Sequence, residues 1–368
     1  MSVTIKRGKI LVYRFYEIGS EVDLEVVTRL MQERQNTTRF RLDRPGKTSL
    51  VIATAPLTVH LGPTELSVRG QQLKAELDIR VWHFGGMSLS FHIPLPENCS
   101  WDELVATASW LERDQEIDLV ARTKARDFQS EIKSAIPVTN DWATYEDYVV
   151  YYLQEVAGIE GGAGELFEKA DVAALMMAET SEKLSEQVKK AVRDASYQYT
   201  RDDLAVIDWN SALVLEPSGS MDVPMVLEFA NSQLLEMRYY DDLLDEKLDA
   251  LYKSVAGKRP GILSNIYSNH AEEAGRIYLE IAEVVENVEN SLKVVGDFYL
   301  ATIFRVASQR FRFADWQKSI NEKLGNLAEV SKLSHSRVAE ARSHLLEIVI
   351  IILIAIEVVP FVLGLLKS

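Results

Sequence analysis

The chain closes on "LEIVIIILIAIEVVPFVLGLLKS", Leu346 to Ser368, and no other stretch restricts so strongly what it can fold into. From Ile348 to Leu366 nearly every residue is Ile, Leu, Val, Ala or Phe, a run that as a helix would extend about 30 Å, the thickness of a bilayer core. A helix of a globular core normally breaks such a run with a polar stripe. The pattern therefore predicts one transmembrane helix over residues 346–366. Lys332, Arg337 and Arg342 precede the run and Lys367 follows it, so the positive-inside tendency puts the N-terminal portion in the cytoplasm of a single-pass, tail-anchored protein with the lipid bilayer as a partner. Pro360 removes a backbone donor inside the run. Glu357 lies near its middle, where an ionised, unpaired carboxylate facing lipid would cost several kcal/mol. Glu347, Glu357 and Pro360 are the candidate membrane and assembly residues.

The preceding 345 residues are long enough for two or three units with cores of their own. Forty Lys and Arg against fifty-five Asp and Glu give a net charge of −15, which opposes sequence-independent attraction to nucleic-acid phosphates. No direct nucleic-acid partner is expected. The only cysteine, Cys99, cannot form an intramolecular disulfide, and the N-terminal segment lacks the apolar h-region of an export signal.

An N-terminal α/β domain is predicted over residues 1–219, with a possible internal boundary near 135. "KILVYRFY" reads as a strand, and "GSEVDLEVVTRLM" as a helix start with Ser20 and Asp23 at capping-box spacing. "AELDIRVWHFGGMSLSFHIPL" is the clearest hairpin: Leu77, Ile79 and Val81 alternate on one arm, Met87, Leu89, Phe91 and Ile93 on the other, with Gly85 and Gly86 between. "SWDELVATASWL" opens a helix through a second capping box, Ser100 and Glu103. "YEDYVVYYLQEV" and "ADVAALMMAETSEKLSEQVKKAV" read as helical, and "DLAVIDWNSALVLEPSG" as two short strands. The fold class is α+β.

Residues 221–345 read as a helical, coiled-coil-like stalk. Leu227, Ala230, Leu234, Met237, Leu244, Leu248 and Leu251 recur at alternating steps of three and four, a heptad seam interrupted by Asp241. Left uncovered, that seam would drive self-association, so a homo-oligomer or a helical protein partner is expected. "AGKRPGILSN" breaks the pattern, a second helix runs from about Ile277 through Ile281, Val284, Val288 and Val295, and a third continues from Ile320 directly into the tail. Asn231, Gln233 and Arg238 are the polar candidates for bonds between helices.

Candidate chemistry is sparse. Asp241, Asp242 and Asp245 have the D-D-x-x-D spacing with which prenyl-diphosphate enzymes hold magnesium, since carboxylates one turn apart can share a hard cation. A second acidic cluster is lacking, and a solvated helix face accounts for the three. "GIEGGAGELFEK" lacks the Lys-Ser/Thr ending of a phosphate loop and reads as a linker. His60, His83, His92 and Cys99 include zinc-ligand types without ligand spacing. No nucleophile has a recognisable catalytic context. Neither an enzyme nor a bound cofactor is expected.

On the tail residues "LLEIVIIILIAIEVV", Leu345 to Val359, the chain resembles the YagE family, which includes mitochondrial proteins related to meiotic nuclear division. In that family a Leu-Glu pair opens the membrane segment and an Ile-Glu pair lies within it, as Leu346-Glu347 and Ile356-Glu357 do here. The resemblance implies a membrane-anchored, non-enzymatic scaffold. The order of domains is also similar to that of CorA-type magnesium channels, without their second membrane helix or Gly-Met-Asn loop. An alternative role is thus a subunit of, or accessory to, an ion channel or transporter that uses Glu357.

Overall fold

The computed structural model describes residues 3–19, 21–31, 37–39, 55–68, 71–113, 115–139, 145–256, 275–279, 282 and 298–365. Among the described residues the centre is a ten-stranded mixed sheet. β1 (Thr4–Glu17) pairs antiparallel on one side with β5 (Gly86–Pro94) and on the other with β7 (Tyr145–Ala157). Outward from β5 lie β4 (Gln71–Val81), β3 (Leu57–Val68) and β2 (Thr37–Arg39); β6 (Cys99–Ser100) adds to the start of β1. Beyond β7 come β10 (Ser211–Leu215), β9 (Leu204–Ile207) and β8 (Ser196–Tyr197), and β10 pairs with β7 in parallel. The two short strands expected at 203–215 thus complete this same sheet.

The β4–β5 hairpin forms as the alternation predicts, with Val81 opposite Met87. Gly85 takes φ +99°, and a Cβ there would lie 1.7 Å from the Gly19 carbonyl oxygen and 2.6 Å from Glu17 Oε1, so the turn accepts no side chain at that position. "YEDYVVYYLQEV" is strand β7, not helix. Its tyrosines and valines gain from a pleated surface packed on both sides, and the fragment alternates between the two faces of the sheet.

One face carries the apolar core. Ile10, Val12, Leu77, Ile79, Leu89, Phe91, Tyr151 and Leu153 pack in one buried cluster with Leu104, Val105, Ile117, Ala121 and Phe128. Those last five belong to α2 (Trp101–Arg113) and α3 (Glu116–Glu131). α2 starts at the expected capping box: Ser100 N donates to Glu103 Oε2 at 2.8 Å, and Glu103 N to Ser100 Oγ at 3.2 Å. At α1 (Leu24–Met31) the cap is Asp23, whose Oδ1 accepts from Glu25 N and Val26 N; Ser20 lies outside the described residues. Short helices α4 (Leu166–Lys169), α5 (Val172–Met176) and α6 (Glu186–Asp194) lie in the crossover from β7 to β10.

Among the described residues the long helices that follow are α7 (Asp222–Ala256), α8 (Phe298–Arg310) and α9 (Phe313–Leu365). The chain divides into one compact unit of Met1–Tyr239 with Glu289–Ala314 and a second of Tyr240–Val288 with Asp315–Ser368. The residues of the expected seam are covered within the chain, for Leu227, Leu234, Met237, Leu244, Leu248 and Leu251 are all buried. Self-association is therefore not needed to cover it. Residues 257–274, and Ile281, Val284, Val288 and Val295, lie outside the described residues.

The membrane assignment is corrected. α9 does run unbroken from the stalk into the tail, but among the described residues no helix is long and apolar enough to cross a membrane. The described tail side chains reach from Leu346 to Val358, interrupted by Glu347, and as helix span about 20 Å against a ~30 Å hydrocarbon core. The side chains of Glu357 and Pro360 lie outside the described residues. The tail-anchored, single-pass reading with its cytoplasmic N-terminal portion is thereby overturned, and so is the channel-accessory alternative, which needs the same span.

Candidate functional site

The second face of the sheet is unlike the first. Residues paired across strands share a face, so Tyr13, Phe15 and Glu17 of β1 lie beside Ser90, Ser88 and Gly86 of β5 and Tyr148 and Glu146 of β7. Asp78 and Arg80 of β4 continue the row. α7 covers this face. From Val226 to Met237 every residue of the helix is buried, yet the stretch includes Glu228, Asn231, Ser232, Gln233 and Glu236. Helix and sheet meet through a layer of charge.

Two ion pairs fix the helix. Arg80 pairs with Glu228, which also accepts from Ser88 Oγ at 2.5 Å, while Arg80 Nε donates to Thr58 Oγ1 at 3.0 Å. Ten residues on, Arg238 pairs with Glu146. Ten residues of helix advance about 15 Å, and β4 to β7 is three strand spacings, about 14 Å. α7 therefore crosses the strands, with a pair near each end of the crossing. Trp82 anchors it between them by packing on Phe229 at 5.4 Å, and Phe229 continues to Phe304 of α8 at 5.7 Å.

Within this layer lies an uncompensated carboxylate pair. Glu17, 1% exposed, ends β1 with no hydrogen-bond partner for either oxygen among the described residues. Glu236 is 2% exposed and accepts from Gln233 Nε2 at 3.3 Å, while Gln233 Oε1 is buried without a partner. Burial pushes the Glu236 carboxyl up to about 8, against the Gln233 bond that lowers it. Burial first, and the Glu236 charge second, hold the Glu17 carboxyl well above the ordinary range. Trp82 Nε1 and His83 Nδ1, at the adjoining β4–β5 turn, are also buried without hydrogen-bond partners among the described residues. Perturbed carboxylates in a water-poor place mark a functional-site candidate.

A third cluster lies on the same face. Asp78 Oδ1 meets His60 Nδ1 at 2.7 Å and its Oδ2 meets His92 Nε2 at 3.6 Å. Desolvation, then the Lys9 charge, lower the His92 ring to about 4 against the opposing pull of Asp78. His60 and His92 are thus brought together, but His83 packs against Phe84 and Cys99 is buried on β6. Among the described residues no three His, Cys, Asp or Glu side chains form a metal cluster.

The D-D-x-x-D motif becomes a clamp on a lysine. Lys323 Nζ of α9 lies 2.9 Å from Asp241 Oδ1 and 2.6 Å from Asp245 Oδ2, and Ser319 Oγ donates to Asp241 at 2.7 Å. That lysine supplies the positive charge a magnesium ion would have brought. Of the polar helix candidates, Asn231 and Gln233 bond within α7, to Leu227 O and Glu236, and Arg238 reaches the sheet. A cavity of about 460 Å³ is lined by Lys169, Lys189, Lys190 and Arg193 with Asp171 and Glu186. Lys169 pairs with Glu165, and Lys189 lies 3.6 Å from Asp171 and 3.7 Å from Glu186.

Sequence reading did not single out Glu17, Glu146, Glu228 or Glu236. The one local signal was the phase of Glu17, two residues beyond Phe15 and in step with Leu11 and Tyr13 on the same face of β1.

A family model described as "Uncharacterized protein MJ0711, N-terminal domain" matches residues 7–222, more than half of the chain. The uncharacterized protein MJ0711 of Methanocaldococcus jannaschii is 20% identical over 218 residues, 58% of this chain and 65% of that protein. No solved structure matches. The family found is thus the MJ0711 family and not the YagE family. The match lies on the sheet and its helices, whereas the YagE resemblance rested on a short tail of few residue types, which many apolar helices share.

Proposed function

We propose that this chain, which belongs to the MJ0711 N-terminal domain family, is a non-enzymatic assembly protein that joins a second copy of itself through the end of α9. The observation that carries this is the surface of that helix. Ten large apolar side chains between Leu346 and Val358 are exposed, Leu353 at 60% and Ile356 at 65%. They occupy almost every position through more than three turns, so they cover the helix all round rather than one stripe. A helix apolar on all sides belongs inside a bundle, and each fully buried aliphatic side chain contributes roughly 1.5–3 kcal/mol. An identical helix from a second copy supplies the same surface. The buried seam of α7 supports this choice, since it directs attention from that seam to the apolar stretch of α9 that is not covered.

Native mass spectrometry and sedimentation velocity of the full chain test the reading. A discrete multiple of the chain mass is expected, with Ile351→Cys forming a disulfide between copies and Ile350→Ser with Ile354→Ser returning the protein to single chains. A wild-type protein that stays monomeric at micromolar concentration would overturn it.

A further inference from the structure

We propose that Glu17, Glu236 and Gln233 form a binding site for a hard divalent cation, of which calcium is the best match, at the junction of β1 and α7. Three observations carry it, independently of the assembly reading above. The first is charge. Two carboxylates lie in the protein interior, and the two arginines described as bridging sheet and helix are engaged elsewhere, Arg80 with Glu228 and Arg238 with Glu146. Unpaired buried carboxylates are held at high cost unless a proton or a cation joins them.

The second is unused donor capacity. Both oxygens of Glu17 and the Oε1 of Gln233 are buried without a hydrogen-bond partner among the described residues, although buried polar atoms are nearly always satisfied. Gln233 spends its amide nitrogen on Glu236 at 3.3 Å, which keeps its side-chain amide next to the Glu236 carboxylate. Oxygen is the ligand type that hard cations take, and two carboxylates match a charge of +2.

The third is backbone anchoring. Glu17 pairs with Gly86, Ile18 N donates to Gly85 O at 2.9 Å, and the Gly85 turn lies against the Glu17 carboxylate. Gln233 and Glu236 are one turn apart on α7, so they present together to the sheet. A cation here would link the end of the central strand to the helix that carries the chain into its second unit. Magnesium retains several waters, whereas calcium accepts protein oxygens in flexible geometry, which suits groups 1–2% exposed.

Calcium and terbium titrations of the full chain provide the test. Calcium is expected to raise the Tm saturably at pH 8.5. Terbium should show luminescence on indole excitation that Trp82→Phe lowers and calcium competes away. Glu17→Gln and Glu236→Gln should each abolish both responses, Gln233→Leu should weaken binding about tenfold, and Asp241→Asn should leave it unchanged. Because the Gln variants remove a buried charge without changing shape, they are expected to fold. Calcium responses that persist in both Gln variants would overturn the site. A wild-type Tm that rises as pH falls below 8 yet ignores calcium would also overturn it, in favour of protons shared by the pair.

Discussion

The same strands build both faces of the sheet, one residue out of step, yet the two faces are held by different physics. Ile10, Val12, Leu77, Leu89 and Phe91 point to α2 and α3 and form a dry core. Tyr13, Glu17, Arg80, Ser88 and Glu146 point the other way, and α7 closes over them with Glu228 and Glu236. Apolar packing is insensitive to pH and tolerant of where a neighbour sits. A buried charge layer depends on protons and requires each partner in place. The difference assigns stability to one face and responsiveness to the other.

Five substitutions, singly or in pairs, can break or sharpen that contrast. The largest effect is expected on the dry face. Phe91, fully buried, should lose about 4 kcal/mol as Phe91→Ala, through lost transfer energy and the cavity left behind. Denaturant unfolding should show the same loss at pH 6 and pH 9. A loss that changes by more than half across that range would remove the claim that this face is electrostatically silent.

On the charged face, Arg80→Leu strands Glu228, which is 2% exposed, and should cost about 3 kcal/mol. The double variant Arg80→Leu with Glu228→Leu should recover most of that, because the penalty belongs to the unpaired charge and not to the loss of a pair. If the double variant is no more stable than the single, the pair itself contributes and the contrast between faces shrinks.

Glu236→Gln should stabilise the protein, without added divalent cation, by on the order of 2 kcal/mol at pH 9. The sign follows from the raised carboxyl. Between its unfolded value near 4.5 and its folded value of about 8, the folded state binds the extra proton, so wild-type stability falls as pH rises through that window and levels off above it. The advantage of Gln should therefore be small at pH 5 and complete above pH 8. Thermal unfolding over pH 5–9 reads it directly, and a pH-independent difference would mean that Glu236 does not titrate in this window.

What the sequence disclosed follows the same division. The β4–β5 hairpin was legible because its alternation and Gly85-Gly86 are local, and the α2 start because a capping box is confined to four residues. Strand β7 was misread since "YEDYVVYYLQEV" packs on both sides, which blurs the period of two. The charge layer was invisible for a different reason. Glu17 and Glu236 stand 219 positions apart, and nothing near either says that the end of a strand and the middle of a helix will meet. Asp241 and Asp245 resembled a metal motif because their partner, Lys323, lies far along the chain. The tail misled in the opposite way, since a strongly apolar composition carried a family resemblance that the matched region, residues 7–222, does not share.

The smallest effect is the most local, and it tests whether the two faces are independent. Ser100 caps α2 on the dry face, its Oγ accepting from Glu103 N while Glu103 accepts from Ser100 N. Ser100→Ala should cost about 1 kcal/mol, the usual worth of an N-cap. Ser100 and the Glu17–Glu236 pair lie on opposite faces of the sheet, and substitutions so separated add within about 0.5 kcal/mol. At pH 9 the double variant Ser100→Ala with Glu236→Gln should thus show the arithmetic sum of its parts, a net gain of about 1 kcal/mol. A deviation of more than about 1 kcal/mol from that sum would show that protonation under α7 is transmitted through β1 to the opposite face. The sheet would then act as a lever between two coupled layers, and not as a partition between a core and a responsive site.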